Sequence, residues 1–402
     1  MKILKATWLI TSNDKGTIIK DGAVVFDKKI IDVGTHSYIK EKYPDIDIEN
    51  LGENSVLMPG LINSHVHLEF SSNTTTLKYG NFMRWLNSVI TSREELVEKA
   101  TQDLILRKLN GMKKSGTTTI GAISSYALDI EPCIKSPINT VFFTEVIGTK
   151  MDMIDTLFAD FNARLKQAQQ NVSENFIPAI AIHSPYSVHP FLVRNVLGIA
   201  REKNLAVSSH FLESPEELEW LHKDEGGFVD FFKNFLGQEK AVTKPMEFLN
   251  QFMNIEKLSF THCVEASTED LKKIKSLGAT INHCITSNRL LNNTKLNIND
   301  LENNEFSIGT DGLSSNNSLN MFDELRNALM MHESNNINEL SKILITAATK
   351  NGAKALGLNK GTLQKEFDAD IISLNLPDIV EDEEDLCTHI ILHTKNVEKV
   401  FI

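Results

Sequence analysis

The sequence predicts an α/β chain: a (β/α)8 barrel of the TIM type, carrying a small β-sandwich built from both chain ends. Three observations lead there. From about Val56 to Leu358, eight short apolar runs alternate with amphipathic helical stretches. The two ends hold β-rich runs broken by polar turns, without helical spacing. The length, 402 residues, suits one large α/β barrel or two domains.

Composition removes several other classes. An apolar fraction of 41% and a charged fraction of 23% are ordinary for a globular protein, which excludes disordered, collagenous and coiled-coil chains. Lys+Arg 41 against Asp+Glu 53 gives a net charge of −12, which disfavours nucleic acid and anionic membranes as partners. Cys133, Cys263, Cys284 and Cys387 are scattered and form no C-x-x-C pair, so neither a disulfide framework nor a zinc knuckle is expected. The opening MKILKATWLITSND lacks a signal h-region, and nowhere do 18 apolar residues run together. A cytoplasmic chain with no membrane contact is the expectation.

The elements follow in order. KATWLIT, GTIIK, DGAVVF and KKIIDVG read as hairpin strands at the start. KGTLQ, ADIISLNL, THIILHT and VEKVFI read the same way at the end, with the acidic run Asp378–Asp385 as a solvated loop. Residues 1–56 and 359–402 therefore form the predicted sandwich, and 57–358 the barrel. The barrel strands are VLMPGLINSHVH, TTTIGAI, NTVFFTEV, FIPAIAIH, AVSSHFL, LSFTHCV, ATINHCI and FSIGTDG. Between them, REELVEKATQDLILRKLNGMKK and PFLVRNVLGIAREKN carry apolar residues at helical spacing.

Barrel chemistry sits at the C-terminal strand ends. Those ends supply His65 and His67, Ser124, Glu145, His183, His210 with Glu213, His262, His283 and Asp311. Five of the eight strands end in histidine, although the chain holds only 12. Two residues apart on a strand, His65 and His67 project to the same side and can share a metal ion. With His210 and Asp311 they make three nitrogens and one oxygen converging on the barrel axis. That set suits one divalent ion, Zn2+ or Fe2+, with a position left for water. A second metal would want a bridging group at the fourth strand, which here ends in His183. Glu213, on the loop after His210, reads as a proton shuttle; as an alternative it is a helix N-terminal carboxylate, since Ser214–Pro215 follows. His262 reads as a group that orients water or stabilises developing negative charge. His36, His222, His332, His389 and His393 read as surface residues.

MPGLINSHVH, IHSPYSV, SSHFLES, THCV and GTDGLSSNNSLNMFDELRNAL, in that order, resemble the amidohydrolase superfamily. The last segment is similar to the branch of methylthioadenosine/S-adenosylhomocysteine deaminases, guanine deaminases and triazine chlorohydrolases. The resemblance implies a barrel with a two-ended β-sandwich, and one divalent metal on His65, His67, His210 and Asp311. It implies that Glu213 protonates the ring nitrogen, that His262 lies beside the water, that Asp311 doubles as the base and that His183 touches substrate. It also implies a homo-oligomer, commonly a dimer.

Two positions depart from the adenosylhomocysteine-type pattern. In Phe82–Met83–Arg84–Trp85–Leu86, Arg84 stands where those relatives carry an acid, and Glu145 stands where they carry an arginine. SSNTTTLKYGNFMRWLNSVI and FFTEVIG are more similar to the 6-aminodeoxyfutalosine deaminases of menaquinone biosynthesis. That resemblance implies hydrolytic deamination of an adenine nucleoside with an aromatic, anionic tail. Phe70, Phe82 and Trp85 would then line the aromatic group, and Arg84 or Arg289 would meet its carboxylate. For Phe82 and Trp85 the alternative is packing of an amphipathic helix on the barrel.

Overall fold

A computed structural model describes the whole chain, residues 1–402. Five strands open it: β1 (Lys2–Ile10), β2 (Ile18–Phe26), β3 (Ile30–Thr35), β4 (Ile48–Asn50) and β5 (Ser55–Pro59). Eight follow: β6 (Leu61–His67), β7 (Thr117–Ser124), β8 (Asn139–Val146), β9 (Phe176–Ile182), β10 (Val207–Phe211), β11 (Leu258–His262), β12 (Thr280–His283) and β13 (Phe306–Ile308). β14 (Ile371–Asn375) and β15 (Lys399–Phe401) close the chain.

β6 to β13 lie side by side in chain order as one eight-stranded sheet, parallel throughout. The sheet comes round on itself. The Asp311 amide donates to the His65 carbonyl at 3.0 Å, and the Ser64 hydroxyl donates to the Ile308 carbonyl at 2.9 Å, bridging the last strand to the first. Helices such as Phe82–Lys99, Ile154–Gln169, Pro190–Lys203 and Met321–Met331 return the chain between strands. Covered on one face by these helices and packed inside on the other, β7 is buried along its whole length. No helix is long and apolar enough to cross a membrane.

The terminal strands form a mixed seven-stranded sheet, ordered β15-β14-β5-β1-β2-β3 with β4 beside β1. It curls: the Phe26 and Phe401 rings meet edge-on at 5.9 Å although their strands stand well apart in the sheet. Leu4, Leu9, Val24, Leu57, Leu363 and Ile371 fill the space so enclosed.

Several local expectations are corrected. Val56–His67 is not one strand: it divides at Gly60 into β5, which pairs with β1 and β14, and β6, which starts the barrel. GTIIK and DGAVVF are halves of the single strand β2. KGTLQ forms no strand. THIILHT is helical, within Glu383–His393. The Asp382 carboxylate caps that helix by accepting from the Glu384 amide at 3.0 Å, so part of the acidic run opens a helix. Leu386, Cys387, Ile390 and Ile391 then bury one face. The helical stretch from Arg93 to Lys114 is broken at Ala100 because the Thr101 hydroxyl caps a new helix, Gln102–Lys114.

Candidate active site

His65 and His67 leave the end of β6 on one side of the pleat, as their spacing requires. What brings Asp311 to them is the glycine spacing in Gly309–Thr310–Asp311–Gly312. A Cβ on Gly309 would lie 2.9 Å from His65 Cβ, and one on Gly312 would lie 2.8 Å from the His67 carbonyl oxygen. Only hydrogen atoms at these positions let the loop lie flat on β6. Asp311 itself is held at φ +59°, a strained left-handed backbone of the kind found at functional sites.

The donor atoms converge. His67 Nε2 is 3.3 Å from His210 Nε2, and Asp311 Oδ1 is 3.7 Å from His67 Nε2 and 3.9 Å from His65 Nε2. Nitrogens of His65, His210 and His262 lie within 4.8 Å of one another, as do donor atoms of Glu213, His262 and Asp311. All four of the predicted metal residues therefore meet in one place.

Each donor is aimed by a partner behind it. His210 Nδ1 donates to the His183 carbonyl at 2.7 Å, which leaves Nε2 with its lone pair facing the centre. His65 Nδ1 meets the Thr261 hydroxyl at 3.2 Å, and Asn282 donates to that same hydroxyl at 3.0 Å. Asp311 Oδ2 accepts from Ser287 at 2.8 Å and Ser315 at 2.6 Å, turning Oδ1 inward. Burial, followed by the charge of neighbouring imidazoles, drives the His65 and His210 nitrogens well toward the neutral form, His210 down to about 3. Burial alone would raise the Asp311 carboxyl, but His67, His262 and His65 outweigh it and hold the group ionised.

A divalent cation fits this set on a direct observation. His65 Nε2 is completely buried and has no hydrogen-bond partner, a costly state for a polar atom unless a ligand completes it. Three imidazoles and one carboxylate are the donors that Zn2+ or Fe2+ take.

Glu213 closes the site from the loop after β10. Its Oε1 is 3.3 Å from His262 Nε2 without the alignment of a hydrogen bond. Burial, then the Asp311 and Glu217 carboxylates, pushes the Glu213 carboxyl well above the usual range, which favours its protonated form. The alternative reading of Glu213 as a helix-capping carboxylate does not hold. Ser214 caps the helix Pro215–Lys223, and the carboxylate reaching back is Glu217. His262 Nδ1 lies 2.9 Å from Asn288 Oδ1, which places the proton on Nδ1 and leaves Nε2 bare. Like Asp311, His262 sits at positive φ, +72°.

Around this centre, His183 stands beside His210, ring centroids 5.0 Å apart, with Nδ1 bonded to Ser187 at 2.6 Å. Burial brings its pKa down to about 3. Donor atoms of Glu145, His183 and His210 lie within 4.8 Å of one another. Glu145 Oε2 accepts from Ser125 at 2.5 Å, while Oε1 is buried without a partner. Trp85 is half-buried and donates its indole N–H to the Ser314 carbonyl at 2.8 Å, tying its helix to the loop that carries Asp311.

Other expected residues stand elsewhere. Phe82 is wholly buried against Trp85 and Phe228, so it packs beneath the pocket wall and is not a surface of it. Arg84 and Arg289 are exposed and form no ion pair; Arg289 bonds to the Asn293 side chain. The segment leading into the Arg84 helix touches the helix of Arg289, where the Gly80 amide donates to the Leu290 carbonyl at 2.7 Å. His283 ends its strand but turns away to His332, Nε2 to Nε2 at 3.0 Å. His332 is therefore buried against the barrel and is not the surface residue its place on a helix suggested.

The sequence reading missed the supports: Thr261, Asn282, Ser287, Asn288, Ser315 and Glu217. One carried a usable signal, because Ser214-x-x-Glu217 has the capping-box spacing.

A family model described as "Amidohydrolase family" matches residues 56–402. The chain is 44% identical over 402 residues to the aminodeoxyfutalosine deaminase of Nitratiruptor sp., covering 100% of this chain and 98% of that one. It is 36% identical over 411 residues to the adenosine deaminase of Helicobacter pylori, with the same coverage. Among solved structures, the H. pylori aminofutalosine deaminase in complex with methylthio-coformycin superposes with a TM-score of 0.95 at 34% identity, over 100% of this chain and 98% of that one.

Proposed function

This chain belongs to the amidohydrolase family, and from that premise we infer that it is a hydrolytic deaminase of adenine nucleosides whose substrate is 6-aminodeoxyfutalosine. The observation that carries the chemistry is geometric: the buried Glu213 carboxyl shares one centre with His262 and Asp311, beside the convergent nitrogens of His65, His67 and His210. A full-length relative of that name at 44% identity supports the substrate.

His65, His67, His210 and Asp311 would hold the metal, and both Zn2+ and Fe2+ suit them. When bound, the cation supplies Lewis acidity, lowering the pKa of a coordinated water to about 7. The chain's own residues do the rest. Glu213 gives its proton to purine N1, which makes C6 electrophilic. The bare Nε2 of His262 accepts a hydrogen bond from the attacking water and so directs it at C6. Asp311 is kept ionised by the imidazoles around it; it takes a proton from that water and passes it to the departing amine. The C6–N bond breaks, ammonia leaves, and the second proton of the added water passes from the C6 oxygen to the Glu213 carboxylate, so that a C6 carbonyl remains and the acid is restored. Neutral His183 and the half-buried Trp85 border the base and its tail, while Glu145 offers an acceptor and Arg84 or Arg289 on the rim meets the tail's carboxylate.

The test is ammonia release from aminodeoxyfutalosine, adenosine, methylthioadenosine and adenosylhomocysteine in parallel. Aminodeoxyfutalosine should give the highest kcat/KM. A clear preference for adenosine, the substrate named for the H. pylori relative, would overturn the tail assignment and leave the chemistry standing. Release of chloride from a chlorotriazine without ammonia release from any nucleoside would overturn the chemistry. Glu213→Gln should leave metal content unchanged and lower turnover by about 100-fold or more.

A further inference from the structure

In an ordinary capping box the carboxylate three residues into a helix returns to the amide of the capping residue itself. Here it overshoots. Ser214 caps the helix in the usual way, accepting from the Glu217 amide at 3.2 Å. The Glu217 carboxylate passes Ser214 and takes the amide of Glu213 at 2.8 Å. Glu217 is completely buried; its other oxygen, Oε1, makes no hydrogen bond of ordinary geometry, and the Leu212 amide also lies against this carboxylate. A helix cap alone does not call for a fully buried carboxylate, because solvent would satisfy the same first turn.

The peptide that Glu217 grips belongs to a strained turn. Leu212 sits at φ +46°, an uncommon conformation for a leucine, and that turn swings Glu213 to the same pocket as His210 three residues earlier. The turn is held at three points. The Leu212 carbonyl accepts from the Glu265 amide at 3.0 Å, and the Glu213 carbonyl accepts from the Asn292 side chain at 3.1 Å. The third hold, on the Glu213 amide, is Glu217 alone. Without it that buried N–H would lose its partner and the left-handed turn would have reason to relax, shifting the Cα that carries the acid.

We propose that Glu217 is a positioning residue for the deamination: its carboxylate fixes the Glu213 backbone so that the Glu213 carboxyl stands over the purine ring nitrogen. Glu217 touches neither substrate nor the reacting atoms. The inference rests on the reading of Glu213 as the proton carrier, so both must be tested side by side.

Wild type, Glu213→Gln, Glu217→Ala, Glu217→Gln and Glu217→Asp are purified with their metal, and kcat, KM, metal content and melting temperature are measured on the preferred nucleoside. Because a misplacement of about 1 Å can cost about 100-fold, Glu217→Ala should lower kcat by roughly 10- to 100-fold while KM stays within about twofold. Glu217→Gln should recover most of that loss. It keeps an oxygen for the Glu213 amide, and its NH2 replaces an oxygen that makes no hydrogen bond of ordinary geometry. Glu217→Asp, shorter by about 1.5 Å, should behave like the alanine variant. If the alanine protein does not fold, the contrast between Gln and Asp decides the matter. Equal kcat in the folded variants would overturn the proposal, and so would a fall in kcat that tracks lost metal or lost stability without recovery in Gln. If Glu213→Gln is itself fully active, the proton-carrier reading fails first; if that variant is inactive while Glu217→Ala matches wild type, only the present inference fails.

Discussion

Gly312→Ala is the most direct probe of how the site is assembled. A Cβ there would lie 2.8 Å from the His67 carbonyl oxygen and 2.9 Å from His67 Cβ, against an ordinary contact that begins at 3.4 Å. Neither obstacle is the free end of a side chain, so the Asp311 loop must retreat by about 0.5 Å, the tolerance within which catalytic constellations are held. The bond from the Asp311 amide to the His65 carbonyl, now 3.0 Å, would stretch to roughly 3.5 Å, past useful hydrogen-bond length. Overpacking of this kind costs about 1–3 kcal/mol. Weakened support for a ligand typically lowers metal affinity by about 10- to 100-fold. The assay is metal content by mass spectrometry, ammonia release and urea unfolding, with Gly198→Ala as control. Gly198 lies within the helix Pro190–Lys203, and its Cβ would meet nothing within 4 Å. That substitution should stabilise by about 0.5–1 kcal/mol and leave kcat alone. Full metal content and wild-type kcat in Gly312→Ala would refute the claim that close approach of the Asp311 loop to β6 sets the ligand geometry.

Three further outcomes are expected. Chelation should lower the melting temperature, and a metal at 100 times its Kd should restore about 2.7 kcal/mol; a His210→Ala protein that responds equally would disprove the ligand set. Burial pushes the Glu324 carboxyl up to about 7 from an ordinary 4.5, despite donors from Thr286 and Asn316. Its folded-state pKa is raised, so its contribution to stability is complete below about pH 4.5 and vanishes as pH climbs through about 7. The difference in unfolding free energy between wild type and Glu324→Gln should shrink across that window by on the order of 3 kcal/mol, and a flat difference would contradict the assignment. Finally, if either rim arginine meets the substrate carboxylate, Arg84→Ala or Arg289→Ala should raise KM for aminodeoxyfutalosine about tenfold, worth about 1.4 kcal/mol, and leave adenosine kinetics unchanged. Equal effects on both nucleosides in both variants would remove the arginines from tail recognition.

From residue order alone one could read the barrel, its eight strands and the residues at their ends. Period-2 and helical patterns are local, and parallel strands in register bring their C-terminal ends to one level whatever lies between. That is why His65, His67, His210 and Asp311 could be named before any distance was known. Local pattern failed where a short apolar run permits two readings: THIILHT became helix because Asp382, upstream of the run, caps it. It also could not separate strand ends facing the axis from one facing outward, so His283 looked like His262 until its pairing with His332 was seen. The supports of the site were decided by tertiary structure alone. Thr261 behind His65, Asn288 behind His262 and Ser287 behind Asp311 are 196, 26 and 24 residues from the groups they aim. Hydrogen bonds depend on distance and direction in space, and residues so far apart along the chain acquire both only when the barrel closes.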